Sequence, residues 1–198
     1  MLAERIGSLT GNNNFVIGLA RGGIVIADQI AKKLKLPLDI LVIRKIPSPV
    51  DPELGVGALA PDGVSYIDWK LAARVGADEK YINRIIDNLS PEIKKSLQFY
   101  RKSYHPVKPS GKTVILADDG AATGGTIRAA IRWLKAKSAA RIIPAIPVAP
   151  YGLAEDLKDD NVSPVFLQEP QDLTSVGSYY RRFDQVDEKR VLELIGKR

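Results

Sequence analysis

Short apolar runs alternate along the chain with stretches in which apolar residues recur every three or four positions. The runs have the length of buried strands, and the stretches have the period of amphipathic helices. This alternation predicts an α/β fold in which helices flank a central, mostly parallel sheet. The predicted strands are residues 15–20, 38–45, 112–119, 141–149 and 162–168.

The alternation is interrupted after the second predicted strand. Residues 46–53 are rich in proline and predict an exposed loop, because proline cannot donate to a strand ladder. Residues 54–67 predict a hairpin that turns at Pro61-Asp62-Gly63.

Helical periodicity then continues to Tyr104, and we interpret residues 66–105 as a helical insertion. Within it, Ser90 followed by Pro91 predicts the N-cap and the first position of a helix. The 198 residues suit a single domain, residues 1–198, with a sizeable core. Residues 168–198 form a small terminal cap in this interpretation.

Composition favours a soluble, cytoplasmic protein without a membrane partner. The chain has no cysteine, so no disulfide framework supports an extracellular location. The longest nearly apolar stretch, residues 145–154, contains prolines and a glycine and cannot span a bilayer. The amino terminus lacks the apolar segment of a signal peptide.

The charge of the chain points to anionic partners. The net charge is +6 and the pI is about 9.4, values that suit nucleic acid or small phosphorylated molecules. The basic residues are dispersed, and no zinc pattern or aromatic RNA-binding motif accompanies them. The sequence therefore favours small phosphates over nucleic acid.

Residues 114–125 read VILADDGAATGG. The apolar run ends at Asp118 and Asp119, and a turn of small residues leads into the next predicted helix. The start of a helix offers free N–H groups and a positive dipole end, so this turn predicts an anion site. Thr123 and Thr126 add hydroxyl donors.

Two carboxylates repel a bound phosphate unless they also bind a metal ion or a sugar. A sugar can donate hydroxyl hydrogen bonds to them and can become cationic during a reaction. The turn lacks the lysine of the P-loop and the spacing of the dinucleotide fingerprint. The stretch VILADDGAATGGT instead resembles the 5-phosphoribosyl-1-pyrophosphate (PRPP) motif of type I phosphoribosyltransferases. That motif has an apolar strand, two acids, three variable residues and Thr-Gly-Gly-Thr or a similar ending.

The resemblance implies a type I phosphoribosyltransferase fold with a helical insertion and a small C-terminal hood. It implies that Asp118 and Asp119 bind the ribose hydroxyls and stabilise the oxocarbenium-like centre as pyrophosphate leaves. It also implies that the following loop cradles the 5′-phosphate. The residues of this loop are Gly120, Ala121, Ala122, Thr123, Gly124, Gly125 and Thr126.

Two further segments resemble parts of the same family. Arg21, Gly22 and Gly23 resemble its pyrophosphate loop, which often contains a non-proline cis peptide. Arg44 and Lys45 resemble residues at the start of its flexible catalytic loop, where they would reach pyrophosphate.

Two other groups receive a more modest interpretation. Glu53, within the flexible loop, is interpreted as a solvated acid, and the alternative is that it assists the incoming base. Tyr179, Tyr180 and Phe183 are interpreted as packing residues of the terminal cap rather than as a stacking surface for a base.

The acceptor base is not fixed by the resemblance. Family members that use hypoxanthine or guanine usually carry an aspartate where this chain has Ala122. The ending ATGGT is closer to adenine phosphoribosyltransferases, although the insertion and the terminal segment are not typical of them. Val176-Gly177 resembles, more loosely, the base-contacting part of the hood.

The resemblance implies that ribose 5-phosphate moves from PRPP to a nitrogenous base, with release of pyrophosphate and assistance from Mg²⁺. This pentosyl transfer would make the protein a glycosyltransferase. PRPP and water would hold the Mg²⁺, without a dedicated protein metal site. The family often forms homodimers. The alternatives are a regulator that senses PRPP or a nucleotide and, more remotely, a nucleic-acid-binding protein.

Overall fold

A computed structural model describes residues 2–7, 13–102 and 105–196. Its centre is a five-stranded sheet in which every neighbouring pair of strands is parallel. In spatial order the strands are β2 (Leu38–Leu41), β1 (Asn14–Leu19), β6 (Thr113–Ala117), β7 (Arg141–Val148) and β8 (Val165–Gln168). The prediction of an α/β fold with a mostly parallel sheet is confirmed.

Both faces of this sheet are buried, because successive side chains along a strand point to opposite sides. Val16 and Ile115 pack into one apolar cluster, whereas Phe15 and Leu116 pack into another. The flanking helices are α1 (Leu2–Gly7), α2 (Gly23–Leu34), α5 (Gly125–Ala136), α6 (Leu153–Leu157) and α7 (Glu188–Ile195).

A second, antiparallel sheet lies beside the first. Its strands are β3 (Arg44–Pro47), β4 (Gly55–Leu59) and β5 (Ser65–Ile67). The hairpin prediction is confirmed by β4 and β5, which are joined by a short 3-10 turn at residues 61–63.

The prediction of one strand over residues 38–45 is wrong. β2 ends at Leu41, and Arg44 already belongs to the second sheet, so the chain changes sheets at residues 42–43. The predicted loop also begins too early, since Ile46 and Pro47 pair with β4. Proline is tolerated there because the register of the ladder shifts between Ile46 and Pro47.

The helical insertion contains two helices, α3 (Trp69–Arg74) and α4 (Glu79–Tyr100). The predicted helix start at Ser90 and Pro91 is wrong, because both residues lie inside α4. The Asp78 carboxylate caps this helix much earlier by accepting a backbone N–H. Buried apolar side chains before and after the proline keep the helix packed. Tyr104 lies outside the described residues.

The segment after α4 is tied to β2, the outermost strand of the main sheet. Arg101 pairs with Asp39 at 3.1 Å, and the Asp39 side chain is only 1% exposed. The same guanidinium donates to the Ile40 carbonyl at 2.9 Å, and Val107 N–H donates to the Asp39 carboxylate at 3.2 Å. These contacts fix the insertion to the sheet.

The chain after β8 has two parts with different positions. Val176 and Tyr180 lie against the loop that follows β6. In contrast, α7 packs on α2, β2 and α4, so it supports the sheet rather than the loop. Within the described residues, the length and apolar character that a membrane-crossing helix needs are found in none of the helices.

Candidate active site

Two loops meet at the carboxyl edge of the central sheet. β1 and β6 are adjacent and parallel, with Gly18 paired to Ala117, so the segments that follow them emerge side by side. Residues 20–22 lead from β1 into α2, and residues 118–124 lead from β6 into α5. The sheet thereby brings together two motifs that are far apart in the sequence.

The contact between these loops leaves no room for side chains on the two glycines. A Cβ atom on Gly22 would lie 1.7 Å from Asp119 Oδ2, and one on Gly23 would lie 2.7 Å from the Ala117 carbonyl. The peptide bond between Ala20 and Arg21 is cis, as the family resemblance implies. Arg21 itself is exposed at the tip of this loop.

Asp118 and Asp119 are partly buried and interact electrostatically. Burial raises the pKa of Asp118 well above its usual value, and the neighbouring Asp119 charge adds to the rise. Burial also raises the pKa of Asp119, although hydrogen bonds from the Asp118 carboxyl and from backbone N–H groups oppose this. The pair therefore resists a double negative charge, and a cation beside it would favour its ionisation.

The loop after the acid pair has the geometry of an anion site. Gly124 precedes α5 with φ of +77°, a left-handed conformation that favours glycine. A Cβ atom there would also lie 2.7 Å from Leu153 Cδ1. Because α5 begins at Gly125, the N–H groups of its first turn point away from the helix toward any bound anion.

A cleft of about 300 Å³ separates this anion loop from the second sheet. One side of the cleft is formed by Asp118 and residues 120–127, and the other by residues 53–57 with nearby side chains. Lys45 also lines it. The Lys45 ammonium donates to the Glu53 carbonyl at 2.7 Å, while the Glu53 side chain is 95% exposed.

Of the two basic residues at the start of β3, Lys45 lines the cleft and Arg44 does not. The Arg44 guanidinium donates to Ser96 Oγ of α4 at 3.1 Å. Burial raises the pKa of Tyr100, and the charges of Arg21 and Arg44 oppose that rise. Both arginines therefore interact electrostatically with Tyr100, which belongs to α4.

Several cleft residues escaped sequence analysis. Tyr66, Asp68 and Leu71 line the side opposite the anion loop. Tyr180, expected only to pack in the terminal cap, lies outside the cleft lining and also donates to the Asp119 carbonyl. The hairpin was predicted, but its position over the loop depends on contacts distant in sequence. For example, the guanidinium carbon of Arg132, in α5, lies 4.9 Å from the centre of the Tyr66 ring.

Oxygen donors at this edge suit Mg²⁺, which prefers carboxylates, phosphates and water. Within residues 2–7, 13–102 and 105–196, no group of three or more histidine, cysteine, aspartate or glutamate side chains could hold a metal ion. Asp118 and Asp119 thus form a two-carboxylate arrangement, to which a phosphorylated ligand would have to add further oxygen atoms.

Residues 1–179 match the family model of the phosphoribosyl transferase domain. The chain therefore belongs to this family, and the resemblance noted in the sequence is confirmed. A Mycobacterium tuberculosis protein (strain ATCC 25618 / H37Rv) named "Putative phosphoribosyl transferase" is 30% identical over 196 residues. The match covers 99% of this chain and 44% of that protein, so the chain spans less than half of that relative.

Two solved structures are similar to this chain in fold. The crystal structure of TT1426 from Thermus thermophilus has 33% sequence identity and a TM-score of 0.80, and the match covers 99% of this chain and 93% of that one. A hypothetical protein from Neisseria gonorrhoeae, solved with bound ppGpp, has 12% identity and a TM-score of 0.50. That match covers 85% of this chain and 74% of the other, and it supports the fold alone.

Proposed function

We propose that this protein transfers ribose 5-phosphate from PRPP to a nitrogenous base and releases pyrophosphate. The observation that carries the proposal is the contact of the acid pair with Gly22 and Gly23, beside an anion site at the start of α5. This arrangement offers one place for the 5′-phosphate, another for pyrophosphate, and carboxylates between them.

The proposed chemistry explains why two adjacent acids are useful at this position. The C1–O bond of the ribose breaks, its electron pair leaves with pyrophosphate, and C1 becomes cationic. A nitrogen lone pair of the acceptor then forms the new C–N bond, and the proton on that nitrogen passes to solvent. Asp118 and Asp119 stabilise the developing cation at C1 and accept hydrogen bonds from the ribose hydroxyls.

Other side chains orient the substrate. Lys45 and Arg21 supply positive charge near the leaving pyrophosphate, and the first-turn N–H groups of α5 hold the 5′-phosphate. Mg²⁺ would be held mainly by PRPP and water, and Asp118 and Asp119 are the protein carboxylates that would assist. When bound, it would neutralise part of the pyrophosphate charge.

The decisive experiment incubates the protein with PRPP, Mg²⁺ and single bases, and measures both pyrophosphate and nucleoside monophosphate. The panel contains adenine, hypoxanthine, guanine, xanthine, uracil and orotate. The matched control is the double variant Asp118→Asn, Asp119→Asn. Base-dependent formation of both products by the wild type, lost in the variant, is the expected result.

The same assay separates the enzyme from a regulator. Tight binding of PRPP without pyrophosphate release, for every base, would identify a PRPP sensor on this fold. A parallel titration with ppGpp, the ligand in the Neisseria gonorrhoeae structure, tests a nucleotide-sensing role. Failure to bind PRPP at all would overturn the proposed function.

A further inference from the structure

The hydroxyl group of Tyr180 reaches the backbone of the acid pair. It donates a hydrogen bond to the Asp119 carbonyl oxygen, and its half-buried ring packs on Phe183 with ring centres 5.0 Å apart. Val176 rests on the same loop, since a Cβ atom on Gly120 would lie 2.2 Å from Val176 Cγ1. The segment from Val176 to Phe183 therefore contacts the loop after β6 at two neighbouring residues, Asp119 and Gly120.

The carbonyl that Tyr180 holds belongs to the peptide unit between Asp119 and Gly120. This unit is trans and planar, so its C=O and N–H groups point in opposite directions. Burial raises the pKa of Asp119, and a backbone hydrogen bond from Gly120 is among the interactions that oppose this rise. A hydroxyl that fixes the C=O therefore also fixes the direction of the N–H that supports the carboxylate.

We infer that Tyr180 is a positioning residue: its hydroxyl fixes the Asp119–Gly120 peptide and, through it, the Asp119 carboxylate beside Gly22. The inference rests on the proposed function, which gives the acid pair its role. Tyr180 lies beyond residues 1–179, the part of the chain that the family model matches, so family membership does not assign it this task.

The ring and the hydroxyl of Tyr180 have separable effects. The ring supplies packing against Phe183, which Tyr180→Phe retains, whereas the substitution removes the hydrogen bond. Tyr179→Phe is a matched control, because this adjacent side chain is 41% exposed and the same single oxygen atom is lost.

The first measurement is the carbon-13 NMR titration of the aspartate carboxyl groups in the free protein. Without the support of the Gly120 N–H, the acid pair in Tyr180→Phe should titrate at higher pH than in the wild type. The second measurement is PRPP affinity in the presence of Mg²⁺. Tyr180→Phe should weaken it about tenfold at neutral pH, the effect of one well-placed hydrogen bond, while Tyr179→Phe should match the wild type in both measurements.

An unchanged carboxyl titration in Tyr180→Phe, with circular dichroism confirming a folded protein, would overturn the inference. An equal shift in Tyr179→Phe would also overturn it, since the effect would then be unspecific. Absence of PRPP binding by the wild type would refute the proposed function instead. The titration of the free protein would still decide the role of Tyr180.

Discussion

Gly22 and Asp119 lie on two different loops, yet a side chain on Gly22 would overlap the Asp119 carboxylate, with 1.7 Å between Cβ and Oδ2. Position 22 must therefore lack a side chain for the Asp119 carboxylate to keep its position. This steric relationship couples the proposed pyrophosphate loop to the proposed ribose site more directly than any hydrogen bond between them.

Gly22→Ala should accordingly displace the Asp119 carboxylate. We expect a loss of about 10²-fold in kcat/KM, because a displacement of about 1 Å in a reacting group has effects of that size. Gly7→Ala is the control, since its Cβ atom would lie 3.8 Å from Leu34 Cδ2, at ordinary contact distance. Steady-state kinetics with PRPP check this, and equal activity of the two variants would contradict it.

The acid pair should reduce stability at neutral pH. The raised pKa values of Asp118 and Asp119 mean that the folded state binds protons more tightly than the unfolded chain does. Their contribution is thus favourable below the unfolded pKa of about 3.9 and is lost as pH rises through the folded values.

Asp118→Asn should therefore raise the melting temperature at pH 7 and reduce kcat about 10²-fold or more. Thermal melts at pH 7 and pH 4 check the sign, and the stability gain should shrink at pH 4. Asp160→Asn, an exposed change of the same charge, is the control. A lower melting temperature for Asp118→Asn at pH 7 would contradict the electrostatic argument.

Ala122 should limit the use of 6-oxopurines. This residue is exposed in the cleft, and its methyl side chain offers no hydrogen-bonding group to a base. We expect kcat/KM for hypoxanthine and guanine not to exceed that for adenine, and Ala122→Asp to shift the ratio toward the 6-oxopurines. The base panel measures this. A wild-type preference for hypoxanthine or guanine by orders of magnitude would show that Ala122 does not set specificity.

Movement at the mouth of the cleft should be confined to residues 48–54. This loop closes on itself, with Ser48 N–H donating to the Leu54 carbonyl at 2.7 Å, while Tyr81 of α4 holds Pro47 at its base with a 3.1 Å hydrogen bond. Hydrogen exchange should be fast at residues 48–54 in the free protein and slower with PRPP and Mg²⁺.

The hairpin provides the internal control for that measurement. Trp133 of α5 donates to Asp62 at its turn, 3.1 Å away, so β4 and β5 should exchange slowly with or without ligand. Slow exchange at residues 48–54 in the free protein, unaffected by PRPP, would argue against a closing loop.

The sequence predicted the motifs that depend on local chemistry. The paired acids, the small-residue turn and the start of α5 lie within one short stretch, so their proximity requires no knowledge of the fold. The parallel sheet also followed, since apolar runs that are buried on both faces leave a clear signal.

The errors have a common physical origin. The change of sheets at residues 42–43 leaves the apolar run unbroken, and Ser90-Pro91 resembles a helix start although packing carries α4 through it. Successive residues of a strand point to opposite sides, so Arg44 contacts α4 whereas Lys45 lines the cleft. This separation depends on both residues belonging to β3, which its pairing with β4 establishes. Tyr180 carries no local signal, because its partner is distant in sequence.

The Asp39–Arg101 pair should be a major determinant of stability. Arg101→Ala removes the guanidinium that contacts the buried Asp39 carboxylate, so we expect a loss of about 3–5 kcal/mol in the free energy of unfolding. Arg182→Ala is the control, because Arg182 and Asp184 form a pair with side chains 86% and 76% exposed. That loss should be about 0–1 kcal/mol. Urea denaturation measures both, and similar losses would contradict the prediction.

Arg101 also occupies part of the exposed edge of the central sheet. β2 is an outermost strand, and the free backbone groups of such a strand usually form a template for strand addition by another molecule. Here Arg101 already occupies the Ile40 carbonyl, and the segment around Val107 is held alongside by Asp39. These contacts engage part of the β2 edge, so they oppose strand addition by a second copy of the chain at this place.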